Sequence, residues 1–270
     1  MLKNIELGDN MKIGIIGVGF VGGAIKNAYD IAGSEVVCVD EAKGYTSTIQ
    51  DVMDCDAVFI AVPSPVSDDG SCDTSYLEEV MEQLEGYTGV IISKVTAPPS
   101  TYMALQKKYK NLVHSPEFLT AANANSDYLY GTFAIIGGLD PYVALAKLII
   151  VVGQPKITAR NVKRTNIGEA SLAKYAINTF LATKVIFYNQ IHALAEVEGL
   201  DYNVVKEAIA LDVRQGTSHF DVPGPDGQFG FGGACFPKDT SAIIKYADDF
   251  GVNLSIIKAA VDTNDYLRDW

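Results

Sequence analysis

The residues best equipped for chemistry lie in one run, Gly230-Phe231-Gly232-Gly233-Ala234-Cys235-Phe236-Pro237-Lys238-Asp239. Its three glycines allow a ligand close to the backbone, and Cys235 follows them. The thiolate is the nucleophilic form of cysteine, and a nearby ammonium such as Lys238 favours it. A thiolate so placed suits covalent catalysis. The alternative is a small apolar cysteine in a turn. That alternative is the better reading for Cys38 and Cys55, which sit beside strand residues, while Cys72 reads as an exposed loop thiol. Lys174 and Asn178 stand four apart in a helical stretch, so they share a face. Beside a sugar alcohol they would hold the hydroxyl and stabilise a developing alkoxide. Otherwise they are a solvated lysine and a polar neighbour.

A second constellation lies near the N-terminus. Gly17-Val18-Gly19-Phe20-Val21-Gly22 fits G-x-G-x-x-G, with an apolar run before it and a helical pattern after it. The first glycine makes the tight turn, the second admits a pyrophosphate to the backbone, and the third brings the helix close to the strand. The helix N-terminus then offers free N–H groups to the anion. Asp40, 18 residues past Gly22, ends the next apolar run. A carboxylate there accepts the ribose hydroxyls of NAD and repels the 2′-phosphate of NADP. Val62-Pro63-Ser64-Pro65 closes the third apolar run, where proline stops the ladder at the edge that binds ligands.

These residues need elements to hold them. Apolar runs at 12–17, 35–40, 56–62, 89–95, 111–118 and 133–138 read as strands, with helical patterns among them ending near 32 and spanning 74–85 and 100–109. Buried strands alternating with helices predict a parallel sheet with helices on both faces. Residues 168–198 carry a long helical period, followed by helices at 201–211, 239–250 and 254–268. Residues 215–238 are dense in Gly and Pro and read as loop. The expected domains are 11–160, binding NAD, and 161–270, helical and carrying the cysteine loop. Phe180, Leu181, Val185, Ile186 and Ile191 on the long helix offer apolar surface for a homodimer, with packing inside the chain as the alternative.

The 270 residues suffice for one large or two moderate domains. A formal charge of −12 makes the chain a poor partner for nucleic acid or anionic membrane. No apolar run approaches the ~20 residues of a membrane span. The first ten residues have no apolar signal core and read as a short leader, with Met11 as an alternative start. The four cysteines form no CxxC pair or zinc spacing, so a reducing, cytoplasmic setting without a metal is expected.

The blocks GVGFVG, VPSP, KVTAPPST (94–101), SPEFL (115–119), KYAINTFLATKVIFYNQI (174–191), DVR (212–214) and GFGGACFPKD (230–239) occur in one order. In that order the sequence resembles the UDP-glucose/GDP-mannose dehydrogenase family. The last block and the K-x-x-x-N helix are its most specific parts. The resemblance implies a Rossmann-type doubly wound parallel sheet followed by an α-helical, 6-phosphogluconate dehydrogenase-like dimerisation domain. It implies oxidation of the C6 alcohol of a nucleotide sugar to the uronate, with two hydride transfers to NAD. By the same resemblance Cys235 forms a thiohemiacetal and then a thioester, and water helped by Glu117 and Thr96 hydrolyses it. Lys174 and Asn178 stabilise oxyanions, and Asp239 holds the water and the Lys174 network. Val62, Pro63, Ser64 and Thr96 line the NAD side, and Phe118, Leu119, Phe231 and Gly232 the substrate side. Arg214 reaches across a dimer to the substrate phosphate; its alternative is a solvated surface charge.

The sequence departs from the family at Thr120 and Ala121, where Arg and a second Glu are usual, at Phe133 for an Arg, and at Ser171 for an acid. VPGPDGQ (222–228) lengthens the loop. Family members continue into a second α/β domain that binds the base, so a short form is expected, either natural or with the rest lost or supplied by another chain. Two other readings stand beside the dehydrogenase: a dimeric NAD-binding subunit without its own turnover, and a hydroxyacid dehydrogenase making one hydride transfer.

Overall fold

The computed structural model describes residues 11–268; the leader expected over 1–10 lies outside the described residues. The chain divides into two compact units. The first runs to Pro65 and resumes from Asp73 to Lys174; the second holds Val66–Cys72 and the chain from Tyr175 onward.

In the first unit, β1 (Lys12–Ile16) leads into α1 (Phe20–Ile31), β2 (Glu35–Val39), α2 (Ile49–Val52) and β3 (Ala57–Ile60). Then come α3 (Ser75–Gln83), β4 (Val90–Ser93), α4 (Pro99–Lys108), β5 (Leu112–His114), α5 (Ala124–Tyr130), β6 (Ala134–Gly137), α6 (Asp140–Gly153) and β7 (Val162–Thr165). The sheet order is β2-β1-β3-β4-β5-β6-β7. Successive strand residues face opposite sides. Ile13, Ile15, Phe59 and Ile92 therefore join one core, and Ile16, Val58, Ile60 and Ile91 the other. This is the doubly wound, Rossmann-like arrangement.

The sequence reading did not include helices α2, α5 and α6, and the sheet differs from it in two ways. The sheet is not wholly parallel, because β5 and β6 pair antiparallel through His114 and Gly137. β7 was not expected at all. Its sequence, VKRT, is short and half charged, and it is a strand because it pairs parallel with β6.

The long helix α7 spans Ile167–Val197, and the division between units falls inside it, after Lys174. Gly137 marks where its first turn packs. A Cβ there would lie 2.5 Å from both Ala170 Cβ and Asn166 O. The second unit adds α8 (Tyr202–Ala210), α9 (Phe236–Asp249) and α10 (Ser255–Arg268). α9 begins three residues before the expected position, so the loop ends at Cys235. Pro237 in the first turn explains this, since a proline there lacks only an N–H that the helix leaves unpaired.

Ala182, Ile186, Phe231 and Ala260 form one small core of this unit, with Val185 packed against it. Ile186 is thus buried in the chain's own interior, and Val185 is half-buried against it. Phe180, Phe187 and Leu194 remain exposed on α7. Cys72 is half-buried and packs against Tyr175, Ala242 and Ile243, so it is no exposed loop thiol. Its segment is closed by a bridge between Val66 and Cys72, and Ser241 Oγ donates to Gly70 O at 2.9 Å. Among the described residues no helix is long and apolar enough to cross a membrane.

Candidate active site

The glycine turn follows β1 directly. Gly17 has φ +86°, and a Cβ on it would lie 2.8 Å from the carbonyl of Ala61, just past β3. Only glycine meets both demands. A Cβ on Gly22 would overlap the carbonyl oxygen of Gly17, while one on Gly19 would meet nothing within 4 Å. Gly22 thus brings α1 against the turn, and Gly19 leaves open space beside the backbone. No side chain caps α1 at Gly19. Its first-turn N–H groups therefore carry the partial positive charge of a helix start toward that space. Val18, Phe20 and Val21 complete the turn. Asp40 is tied to it: Oδ2 accepts from Val18 N at 2.7 Å and Oδ1 from Lys43 N at 3.2 Å. A carboxylate has about four acceptor positions, so capacity for a ribose hydroxyl remains. Open space at Gly19, an uncapped helix start and an adjoining carboxylate fit the pyrophosphate and ribose of NAD. After β3, Ser64 is buried, Val62 is half-buried and Pro63 is exposed.

The end of β5 carries the first charged pair. Glu117 is buried and accepts at Oε2 from Leu119 N, 2.6 Å away. Lys174 Nζ donates to Glu117 Oε1 at 3.0 Å and to the Glu117 carbonyl at 2.5 Å. Both side chains are nearly inaccessible, which makes this a desolvated ion pair with added hydrogen bonds. Lys174 Nζ also sits 5.0 Å from the Phe118 ring centre, and Phe118 packs on Phe133 at 5.1 Å. Phe133, at the position of a usual Arg, is therefore an aromatic neighbour of Phe118. Thr96 is buried just past β4. Ser171, at the position of a usual acid, donates to Ala97 O at 2.6 Å.

Two buried bases in this unit were missed. Lys94 donates to Ser115 Oγ at 3.1 Å, and burial pulls its pKa down to about 8, with Glu117 opposing and Lys174 reinforcing. His114 stacks on Tyr102 and donates from Nδ1 to Ser93 O at 3.1 Å. Burial lowers its pKa to about 3. The signal for Lys94 was its position: a lone charge in the apolar run GVIISKV.

The second unit carries the other set. Asn178 is buried and donates to Asp239 Oδ2 at 2.6 Å. Lys238 Nζ donates to Asp239 Oδ1, also at 2.6 Å. The ammonium of Lys238 is engaged by Asp239, its chain neighbour, and the partners found for Asp239 are Asn178 and Lys238, whereas Lys174 is held by Glu117. A further anion-favouring device at Cys235 is the helix. Cys235 is the N-cap of α9, where the start of a 14-residue helix favours a thiolate. Cys38 and Cys55 are buried, and burial pushes both thiols up, Cys55 to about 11, as apolar cysteines should behave.

The cysteine loop is held by residues that no motif marked. Asn189 Oδ1 accepts from Gly230 N at 2.9 Å and Asn264 Oδ1 from Phe231 N at 2.6 Å. Arg268 donates to Asp226 at 2.8 Å, to Gln228 at 3.0 Å and to the Gly230 carbonyl at 3.3 Å. The Phe231 ring is committed to the core, so what it can offer a substrate is its carbonyl. A Cβ on Gly232 would meet the Arg268 guanidinium at 2.6 Å. Arg214 is 84% exposed and forks onto Asp212, with Nε to Oδ1 at 2.9 Å and Nη2 to Oδ2 at 2.6 Å. Within this chain it is a surface ion pair.

Residues 42–152 match the NAD binding domain of the UDP-glucose/GDP-mannose dehydrogenase family, and residues 168–266 match its central domain. UDP-glucose 6-dehydrogenase TuaD of Bacillus subtilis is 31% identical over an alignment covering 95% of this chain and 63% of that protein. The UDP-glucose 6-dehydrogenase of Rhizobium meliloti is 30% identical, with 94% of this chain and 68% of the relative covered. A UDP-glucose dehydrogenase structure from Pyrobaculum islandicum superposes with a TM-score of 0.82 at 28% identity, covering 97% of this chain and 70% of that one. The chain thus spans less than two-thirds of TuaD and slightly more of the other two. NAD is the cofactor of the matched N-terminal domain. With both its domains matched in order, this chain belongs to the UDP-glucose/GDP-mannose dehydrogenase family.

Proposed function

We propose that the chain oxidises the C6 alcohol of a nucleotide sugar of the UDP-glucose type to the carboxylate in an NAD-dependent, four-electron reaction. The observation that carries this reading is Cys235 at the start of α9, with the buried Asp239 in the same first turn bonded to Asn178. A single alcohol-to-ketone step needs no nucleophile; oxidation through an aldehyde to an acid does.

NAD, when bound, supplies the hydride acceptor for both oxidations. The Cys235 thiolate adds to the aldehyde carbon, and the carbonyl oxygen takes up the proton needed for a neutral thiohemiacetal. That species is oxidised to a thioester. Water then adds to the thioester carbon and the C–S bond breaks, returning the thiolate. Lys174 and Asn178 donate to the oxygen that carries negative charge in these steps. Glu117 accepts the proton of the attacking water, with Thr96 orienting it. Asp239 orients Asn178 through its 2.6 Å bond. Phe118, Leu119 and the Phe231–Gly232 backbone line the sugar. Arg214, whose guanidinium is exposed, binds a substrate phosphate in a homodimer formed through Phe180, Phe187 and Leu194 of α7.

NADH production with a panel of UDP- and GDP-sugars tests the reading. Two NADH per sugar are expected. One NADH per substrate would indicate a simple hydroxyacid dehydrogenase, and NAD binding without turnover would indicate a non-catalytic subunit. Cys235→Ser is expected to abolish acid formation while NAD affinity stays within about twofold, since the thiol acts only after the first oxidation. Unchanged acid yield would remove Cys235 from the mechanism.

A further inference from the structure

One buried cation takes no part in the steps above. Lys94, at the end of the β4 run, is 5% exposed, and its ammonium donates to Ser115 Oγ at 3.1 Å. Among the described residues it makes no salt bridge. Ser115 is itself fully buried and stands two residues before Glu117. The groups facing Lys94 are the Tyr128 ring, 5.9 Å from Nζ, and the charges or potential charges of Glu117, Lys174 and His114. Burying an ammonium without an ion-pair partner opposes folding. A methionine of similar length would fill the same space without that penalty, so packing alone does not account for the lysine.

We propose that Lys94 is a positioning residue for the Glu117–Lys174 pair: it fixes the Ser115–Glu117 segment through the Ser115 hydroxyl and adds a second positive charge to the field at the Glu117 carboxylate. This inference rests on the dehydrogenase reading, in which Glu117 handles the attacking water. In a desolvated region a charge several ångströms away still acts strongly. The lysine also titrates where an enzyme works. Burial brings it to about 8, so its charge is present at neutral pH and lost as pH rises through that value. Burial keeps His114 neutral down to about 3 and keeps the Tyr128 hydroxyl protonated, so neither changes charge alongside it.

The test compares the wild type with Lys94→Met and Lys94→Arg in the full chain with NAD and a UDP-sugar. The wild type is expected to lose kcat along an alkaline limb centred near pH 8. Lys94→Met should remove that limb and lower kcat at pH 7 about tenfold, leaving KM for NAD within twofold. Lys94→Arg, which stays charged, should keep its rate past the wild-type limb. An activity-independent arm follows the Glu117 carboxyl carbon by NMR in 13C-glutamate-labelled protein. Its signal should move through pH 8 in the wild type and not in Lys94→Met. Absence of turnover in the wild type would defeat the dehydrogenase reading and leave the NMR arm to judge Lys94. A Glu117 signal indifferent to Lys94, or an alkaline limb that survives in Lys94→Met at unchanged kcat, would overturn the proposal.

Discussion

The two glycine-rich turns of this protein are built on different principles. At Gly17–Gly22 the glycines are demanded by nearby backbone: the Ala61 carbonyl crowds Gly17, and the Gly17 carbonyl crowds Gly22. Backbone cannot step aside, so this turn is a rigid cradle whose shape follows from its own residues and the adjoining strand. At Gly230–Gly233 the glycines answer to two positive φ angles, at Gly230 and Gly233, and to side chains of α10. The neighbour of Gly232 is the Arg268 guanidinium, the far end of a flexible chain, and the loop is held by bonds to Asn189, Asn264 and Arg268. A site for an invariant pyrophosphate suits the first kind of turn. The second kind suits the role proposed for the cysteine loop, presenting a nucleophile to changing intermediates, because its geometry can be adjusted from a distance.

The largest effect that would separate the two regions is acid. His114 ends strand β5 of the first unit's sheet, fully buried, with a pKa of about 3, against 6.5 in the unfolded chain. Between those values the unfolded state binds a proton and the folded state does not. Stability present above pH 6.5 is therefore lost as pH falls toward 3, by up to about 5 kcal/mol. Urea midpoints measured from pH 7 to pH 4 should show this slope, and His114→Phe should flatten it. A slope that persists in the variant would place the acid-sensitive group elsewhere.

Next comes the rigid cradle. Gly22→Ala forces a methyl against the Gly17 carbonyl, an overpacking of about 3 kcal/mol. NAD affinity, read by fluorescence titration, should fall about 100-fold or the unit should lose that stability. Unaltered NAD binding together with an unaltered melting temperature would show that the first turn yields as readily as the second, and the contrast would collapse.

The smallest effect is expected at the adjustable loop. Arg268→Ala removes the bonds to Asp226, Gln228 and the Gly230 carbonyl, about 2 kcal/mol in all, since the pair is partly solvated. The rate of Cys235 alkylation should change severalfold while NAD affinity holds. Equal alkylation rates would mean that α10 does not govern the cysteine loop.

Much of the first unit was legible because its determinants are local. The glycine turn, Asp40 and six of seven strands are each encoded within a short stretch. β7 was not, because four half-charged residues become a strand only when β6 offers a partner. Candidate site residues were legible in the sequence, and their partners were not. Glu117 and Lys174 lie 57 residues apart, and Asn178 and Asp239 lie 61 apart. Spacing marks each as a polar residue of interest; only packing decides which meets which. The same limit applies to Lys238, whose ion pair with its chain neighbour Asp239 appears only in the folded chain.

The amino-acid sequence by itself determined the family and the cradle for NAD and marked Cys235 as the candidate nucleophile, because short-range sterics and motif spacing suffice for those. Tertiary structure decided the rest. It placed Cys235 on the start of α9, turned Val185 and Ile186 inward, joined Glu117 to Lys174, and buried Lys94 beside Ser115. Each of these depends on which surfaces are removed from water together, and that is a property of the folded chain rather than of any stretch of it.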